Sequence, residues 1–210
     1  SLNYMNNNLV KMFELNSLAK NLKELPIISV PKEDIQLRNL CLPVLRKREC
    51  RTVVTIENLN CLELTYLDIT IFNNHGAPSY KDINIPKVEE LKIINEGKHP
   101  VKVSGFNVGD SVKSIELKSP PSTDDSDNDY SLLQKATTLT LDASLSFDDF
   151  DLALVETLSV SVSKNLPLLN KHDLPKLKKL LITMKDECNT LPEIKITQIL
   201  QYLHIQIETK

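Results

Sequence analysis

Ile85-Pro86-Lys87-Val88-Glu89-Glu90-Leu91-Lys92-Ile93 and Leu174-Pro175-Lys176-Leu177-Lys178-Lys179-Leu180-Leu181-Ile182 follow one template at two places in the chain. Each sets a proline just ahead of the spacing apolar-x-x-apolar-x-apolar. The last two apolar residues stand two apart, so they line one face of a short strand, and the first packs one step below. A single strand of this kind cannot bury its own face. The template therefore calls for neighbours of the same kind.

The neighbours are present. The same spacing recurs as Leu64/Leu67/Ile69, Val88/Leu91/Ile93, Val112/Ile115/Leu117, Ala136/Leu139/Leu141, Val155/Leu158/Val160, Leu177/Leu180/Ile182 and Leu200/Leu203/Ile205. Taking the second apolar residue as the marker, the steps are 24, 24, 24, 19, 22 and 23 residues. A near-constant step of this size is the signature of a solenoid, in which successive strands stack into a parallel sheet over a continuous aliphatic core. The segments between strands then cross back over the outer surface.

On these residues the chain resembles the leucine-rich-repeat family, whose repeat includes L-x-x-L-x-L. The resemblance covers roughly residues 50–207. The Asn or Cys that closes each strand in that family is not kept throughout: Asn95 stands one place early, and Pro120 occupies the place in the third copy. The implied fold is of α/β class, an irregular leucine-rich-repeat solenoid with a short helical N-terminal cap. The cap takes residues 1–50 and an array of about seven to eight repeats takes residues 51–210.

The helical expectation for the first segment rests on Leu15, Leu18, Leu22 and Leu25, then Leu37, Leu40, Cys41, Val44 and Leu45, at helix-like intervals. Pro26, Pro31 and Pro43 should keep the helices short. Arg46, Lys47, Arg48 and Arg51 read as a solvated helix face. The run Leu37 to Lys47, followed by Arg51-Thr52-Val53-Val54, resembles the end of an F-box leading into fungal-type leucine-rich repeats. That resemblance implies a substrate receptor of a cullin ubiquitin ligase, with a cullin-ligase adaptor as partner. The alternative is a structural scaffold subunit of a nuclear, chromatin- or centromere-associated assembly.

Composition bounds the function classes. The 210 residues carry a formal net charge of -3, with 41% hydrophobic and 5% aromatic residues and no tryptophan. Without clustered Lys and Arg, bulk nucleic-acid binding is not expected. Cys41, Cys50, Cys61 and Cys188 form no CxxC pair, which points to reduced core thiols. No Asn-x-Ser/Thr acceptor occurs, and no apolar run approaches the roughly 20 residues that span a bilayer. A cytoplasmic or nuclear address, with no membrane partner, is the expectation. Ser1 in place of an initiator Met, and a last strand close to Lys210, lead to the expectation of a piece of a longer protein.

No GxSxG, HExxH, Walker A or GxGxxG motif is present, so catalytic, cofactor and metal residues are all expected to be none. His75, His99, His172 and His204 fall in different repeats and read as surface residues. The tract Ser122 to Asp129 lacks the glycine and closing Glu of an EF-hand and reads as a solvated acidic loop replacing one return segment. Binding is assigned to the residues that alternate with the buried ones: Tyr66, Asp68, Thr70; Glu90, Lys92, Ile94; Ser114, Glu116, Lys118; Thr138, Thr140, Asp142; Thr157, Ser159, Ser161; Lys179, Leu181, Thr183; Tyr202, His204, Gln206. Within that face the protein-binding candidates are Tyr66 and Ile94 at one end and Leu181, Tyr202 and His204 at the other, because large side chains dominate interface energetics. A non-catalytic protein-recognition module is the expected function.

Overall fold

The structure is a computed structural model that describes residues 23–28, 35–51, 53–71, 78–118, 131–142, 151–162, 174–185 and 199–208. These described residues form thirteen strands: β1 (Glu24–Ile28), β2 (Ile35–Cys41), β3 (Lys47–Arg51), β4 (Val53–Asn60), β5 (Tyr66–Ile71), β6 (Ser79–Ile85), β7 (Glu90–Asn95), β8 (Lys102–Val108), β9 (Ser114–Lys118), β10 (Thr138–Asp142), β11 (Thr157–Val162), β12 (Lys179–Lys185) and β13 (Tyr202–Glu208). All pair in parallel. The long sheet runs β1-β3-β5-β7-β9-β10-β11-β12-β13, and a second sheet of four runs β2-β4-β6-β8. The protein is a parallel β-solenoid.

Each of the seven markers falls in a strand of the long sheet, and the register aligns them: Leu67 with Leu91, Leu91 with Ile115, Ile115 with Leu139, Leu139 with Leu158, Leu158 with Leu180 and Leu180 with Leu203. From Leu67 to Leu180 every member of this column is at most 1% exposed. A fully buried Leu or Ile is worth roughly 1.5–3 kcal/mol, so the columns are the main store of stability. Ile115 pairs with Leu139 across the acidic tract, which itself lies outside the described residues. The repeat keeps its step there.

A turn precedes most strands of the long sheet. The N–H groups of Leu45, Leu64, Val88, Ala136, Val155 and Leu177 donate to the carbonyls of Leu42, Cys61, Ile85, Leu133, Leu152 and Leu174, three residues earlier. Proline suits these turns because it pre-sets φ and gives up an N–H that the turn does not use. The turn before β9 is a residue longer, since Val108 and Val112 stand four apart where Ile85 and Val88 stand three apart, and Gly109 lies in it. A Cβ there would sit 2.0 Å from the Pro86 carbonyl oxygen, so the neighbouring coil leaves room only for glycine.

The N-terminal helical cap is not formed by the described residues. Residues 35–51 make strand, turn and strand, and β1 adds a further rung at Glu24–Ile28; Leu15, Leu18 and Leu22 lie outside the described residues. The helix-like spacing has a different origin. In β4, β6 and β8 two consecutive residues face out between inward ones, as with Ile56 and Leu59, Tyr80 and Ile83, Val103 and Phe106. The second outward residue has positive φ: Asn58 at 54°, Asp82 at 54° and Gly105 at 63°, with Asn39 at 53° in β2. Asn, Asp and Gly tolerate this left-handed conformation best. It converts a two-residue alternation into a three-residue step, which imitates one turn of a helix. The only helical element among the described residues is a 3-10 turn, Ser131–Lys135, so the architecture is all-β there rather than α/β. Arg48, expected on a solvated helix face, instead lies on β3 in register with Leu67 and is fully buried.

Side chains reinforce the stacking. Asn84 donates to Asn60 at 2.9 Å and Asn107 donates to Asn84 at 2.7 Å, forming an asparagine ladder on the second sheet, while Asn58 donates to Asn39 at 2.8 Å. Beside the long sheet, Lys87 meets Glu63, Lys113 meets Glu89 and Lys178 meets Glu156 across successive coils. The hydrogen bond from Lys178, and then its charge, hold the Glu156 carboxyl below its ordinary value.

Two outcomes are expected. Leu139→Asp should abolish the cooperative thermal melt, because a buried unpaired carboxylate costs several kcal/mol, while Thr140→Ala on the outward face should cost less than about 1 kcal/mol. A lowered folded-state pKa stabilises above the unfolded value and ceases to do so as pH falls through the folded one. The melting-temperature difference between wild type and Glu156→Gln should therefore be present at neutral pH and shrink as the pH drops through the carboxylate range. A difference that grows on acidification contradicts the pairing.

Candidate functional site

The exposed face of the long sheet follows from its pleat. With Leu67, Leu91, Ile115, Leu139, Leu158 and Leu180 turned inward, the residues before and after each must turn outward. Three columns result. The first holds Lys47, Tyr66, Glu90, Ser114, Thr138, Thr157, Lys179 and Tyr202. The second runs Asp68, Lys92, Glu116, Thr140, Ser159, Leu181 and His204. The third includes Thr70, Ile94 and Lys118, and then Asp142, Ser161, Thr183 and Gln206. Most of these side chains are half-buried against their neighbours in the column, and those of β13 are exposed.

The face has three chemically distinct zones. Over β5 to β9 the polar groups engage one another. The Tyr66 hydroxyl donates to Asp68 Oδ2 at 3.2 Å, Thr70 Oγ1 donates to Asp68 Oδ1 at 3.0 Å, and Lys47 Nζ lies 5.2 Å from the Tyr66 ring centre. Glu116 takes Lys118 at 2.8 Å and Lys92 at 3.6 Å. Over β10 and β11 the face is small and hydroxylic: Thr138, Thr140, Thr157, Ser159 and Ser161. Over β12 and β13 it turns aromatic and aliphatic.

In that last zone Leu181 is in direct register with His204, and the Tyr202 and His204 rings stack, with centres 6.3 Å apart and planes 12° from parallel. The structure thus brings Leu181, Tyr202 and His204 into one patch. Tyr66 and Ile94 are not joined in the same way. Ile94 is in register with Thr70, four residues beyond Tyr66 along the strand, and Tyr66 is tied to Asp68. Six strand steps separate Tyr66 from Tyr202, roughly 29 Å at the usual parallel spacing. Tyr202 is 49% exposed, whereas Tyr66 is half-buried.

The second sheet was not anticipated from the spacing of apolar residues. Its signal is a tetrapeptide: Asn39-Leu40-Cys41-Leu42, Asn58-Leu59-Asn60-Cys61, Asp82-Ile83-Asn84-Ile85 and Gly105-Phe106-Asn107-Val108. The first position is the left-handed residue and the third is the ladder position, which Cys41 occupies in β2. Asn95 also has a defined role. Buried at 6% exposure, it accepts the Gly97 N–H at 2.9 Å and donates to the His99 carbonyl, closing the turn after β7.

Among the described residues no group of three or more His, Cys, Asp or Glu side chains is placed to hold a metal ion, and no helix is long and apolar enough to cross a membrane. The ion pairs of the face are more than a third exposed on at least one partner and should contribute little to folding. Glu116→Gln is expected to lower unfolding free energy in urea by no more than about 1 kcal/mol. A larger loss would mean that the face holds the fold together instead of being available for recognition.

Comparison of the chain with protein-family models, with curated proteins and with solved structures gave no match.

Proposed function

We propose that the chain is a protein-recognition module, not an enzyme, and that it grips its partner with the C-terminal end of the exposed face of the long sheet. One observation carries this reading: Tyr202 and His204 stack in the open beside Leu181, on a scaffold whose backbone is fixed by in-register pairing. Interface free energy concentrates in a few large side chains, with Tyr enriched and Ser and Thr seldom decisive. A rigid sheet also presents them at little entropic cost.

The electrostatics of the face favour recognition over catalysis. Asp68 is engaged by Tyr66 and Thr70, and Glu116 by Lys92 and Lys118, so these carboxylates are committed to their neighbours and do not converge on an open position. The leucine-rich character of the repeat belongs to the same proposal. It is supported by the fuller unit Leu174-x-x-Leu177-x-x-Leu180-x-Ile182 and by the strand-closing role of Asn95. The helix implied by the F-box resemblance is strand β2, a turn and strand β3 here, so the proposal stops at recognition of a protein partner.

A quantitative pull-down from source lysate tests it. Leu181→Ser with Tyr202→Ala should reduce partner recovery about tenfold or more, the scale of one hot-spot loss, while Thr140→Ala with Ser159→Ala should leave it within about twofold. Equal recovery by the first pair, or selective loss by the second, overturns the assignment.

A further inference from the structure

Charge is spread unevenly over the exposed face of the long sheet. On β5 to β9 the ionic groups are committed: Asp68 takes the Tyr66 and Thr70 hydroxyls, Glu116 takes Lys92 and Lys118, and Lys47 lies over the Tyr66 ring. Lys179 differs. It is exposed in the first column, and its ammonium has no carboxylate beside it among the described residues. Its neighbours across the sheet are Thr157 and Tyr202. The next outward position on its own strand is Leu181, between Ser159 and His204. Glu156, just ahead of β11, is held by Lys178 at 2.8 Å. Lys179 and Leu181 lie on β12, so β11 on one side and β13 on the other set their surroundings.

Two carboxylates of the face have no ion pair among the described residues, Glu90 on β7 and Asp142 on β10. At the usual strand spacings they lie roughly 19 Å and roughly 16 Å from Lys179, beyond the Debye length of about 8 Å at physiological ionic strength. They leave its field uncancelled. An anionic group is thus disfavoured over β7 to β10 and favoured at Lys179.

The surroundings of Lys179 indicate what accompanies that anion. Lys179 stands beside Tyr202 and Leu181 beside His204, about 4.8 Å across the strands and about 6.6 Å along them. A partner that covers this rectangle strips water from the ammonium, which then needs a counter-charge. Two alternate residues of an extended segment have the same spacing as Lys179 and Leu181. A single lysine is too little for a nucleic-acid backbone, which calls for clustered cations.

We infer that the partner docks an extended acidic segment here, in which an Asp or Glu stands two residues from a large apolar residue. The carboxylate sits on Lys179 and the apolar side chain on Leu181 and the His204 ring. This rests on the recognition reading and adds the partner's charge and spacing to it.

Selection of a random peptide library on phage against the immobilised full chain is the test, followed by fluorescence anisotropy with the synthetic peptides it yields. Selected sequences should be enriched in Asp or Glu two places from a large apolar residue, and their binding should weaken as salt is raised. Lys179→Glu should weaken the best peptide at least about tenfold, and Lys179→Ser, the check should the first variant melt early, at least about threefold. The same peptide with its acidic residue changed to Lys should bind Lys179→Glu at least about fivefold better than wild type. Peptides without the acidic residue, or no enrichment, overturn the inference. Affinity indifferent to both Lys179 variants but lost in Leu181→Ser with Tyr202→Ala also overturns it, and leaves the recognition reading standing. Indifference to all of these substitutions overturns both.

Discussion

Everything in this protein depends on the in-register stacking of rungs that cannot exist alone. A five- to eight-residue strand with two inward aliphatic side chains has no core of its own; it acquires one only when Leu91 lies on Leu67, Ile115 on Leu91 and Leu139 on Ile115. The same contact fixes the backbone, since each coil's entry N–H donates to the previous coil's carbonyl, as Glu89 does to Thr65, Lys113 to Glu89 and Thr137 to Lys113. Stability is then nearest-neighbour and cumulative. The outward face bears little of this load.

Polar groups follow the same one-dimensional logic. The Asn60–Asn84–Asn107 ladder and the Glu–Lys pairs at Glu89–Lys113 and Glu156–Lys178 link neighbouring coils, matching the step of the backbone. An asparagine at each rung can donate to one neighbour and accept from the other, which a hydroxyl or carboxylate does less symmetrically. The left-handed residues Asn39, Asn58, Asp82 and Gly105 also align rung on rung, because a bend in one coil must be repeated in the next for the pairing to continue.

The long sheet was legible in the sequence because its strands obey simple alternation, so Leu139/Leu141 and Leu180/Ile182 repeat one spacing. The exposed columns, including the adjacency of Leu181, Tyr202 and His204, follow from that register. The second sheet was hidden by its positive-φ residues: Leu37 and Leu40 are three apart because Asn39 adds a bend, and a three-residue step is what a helix shows. The first rungs were hidden by chemistry, because Arg48 occupies a column position that Leu fills in later coils. A pattern search for apolar residues passes over a buried arginine. Recognition by the sheet face depends on side chains whose partner the sequence does not name.

The rungs of the long sheet stack one after another in chain order. Double electron–electron resonance tests it most directly, with one spin label at Lys47 and the second at Ser114, Thr138, Thr157 or Lys179, in a background from which the native cysteines have been removed. These positions share one outward column, so each step should lengthen the distance by about 4.8 Å, from roughly 14 Å to roughly 29 Å, modified smoothly by sheet twist. A distance that shortens, or stays level, anywhere along that series would contradict the stacking.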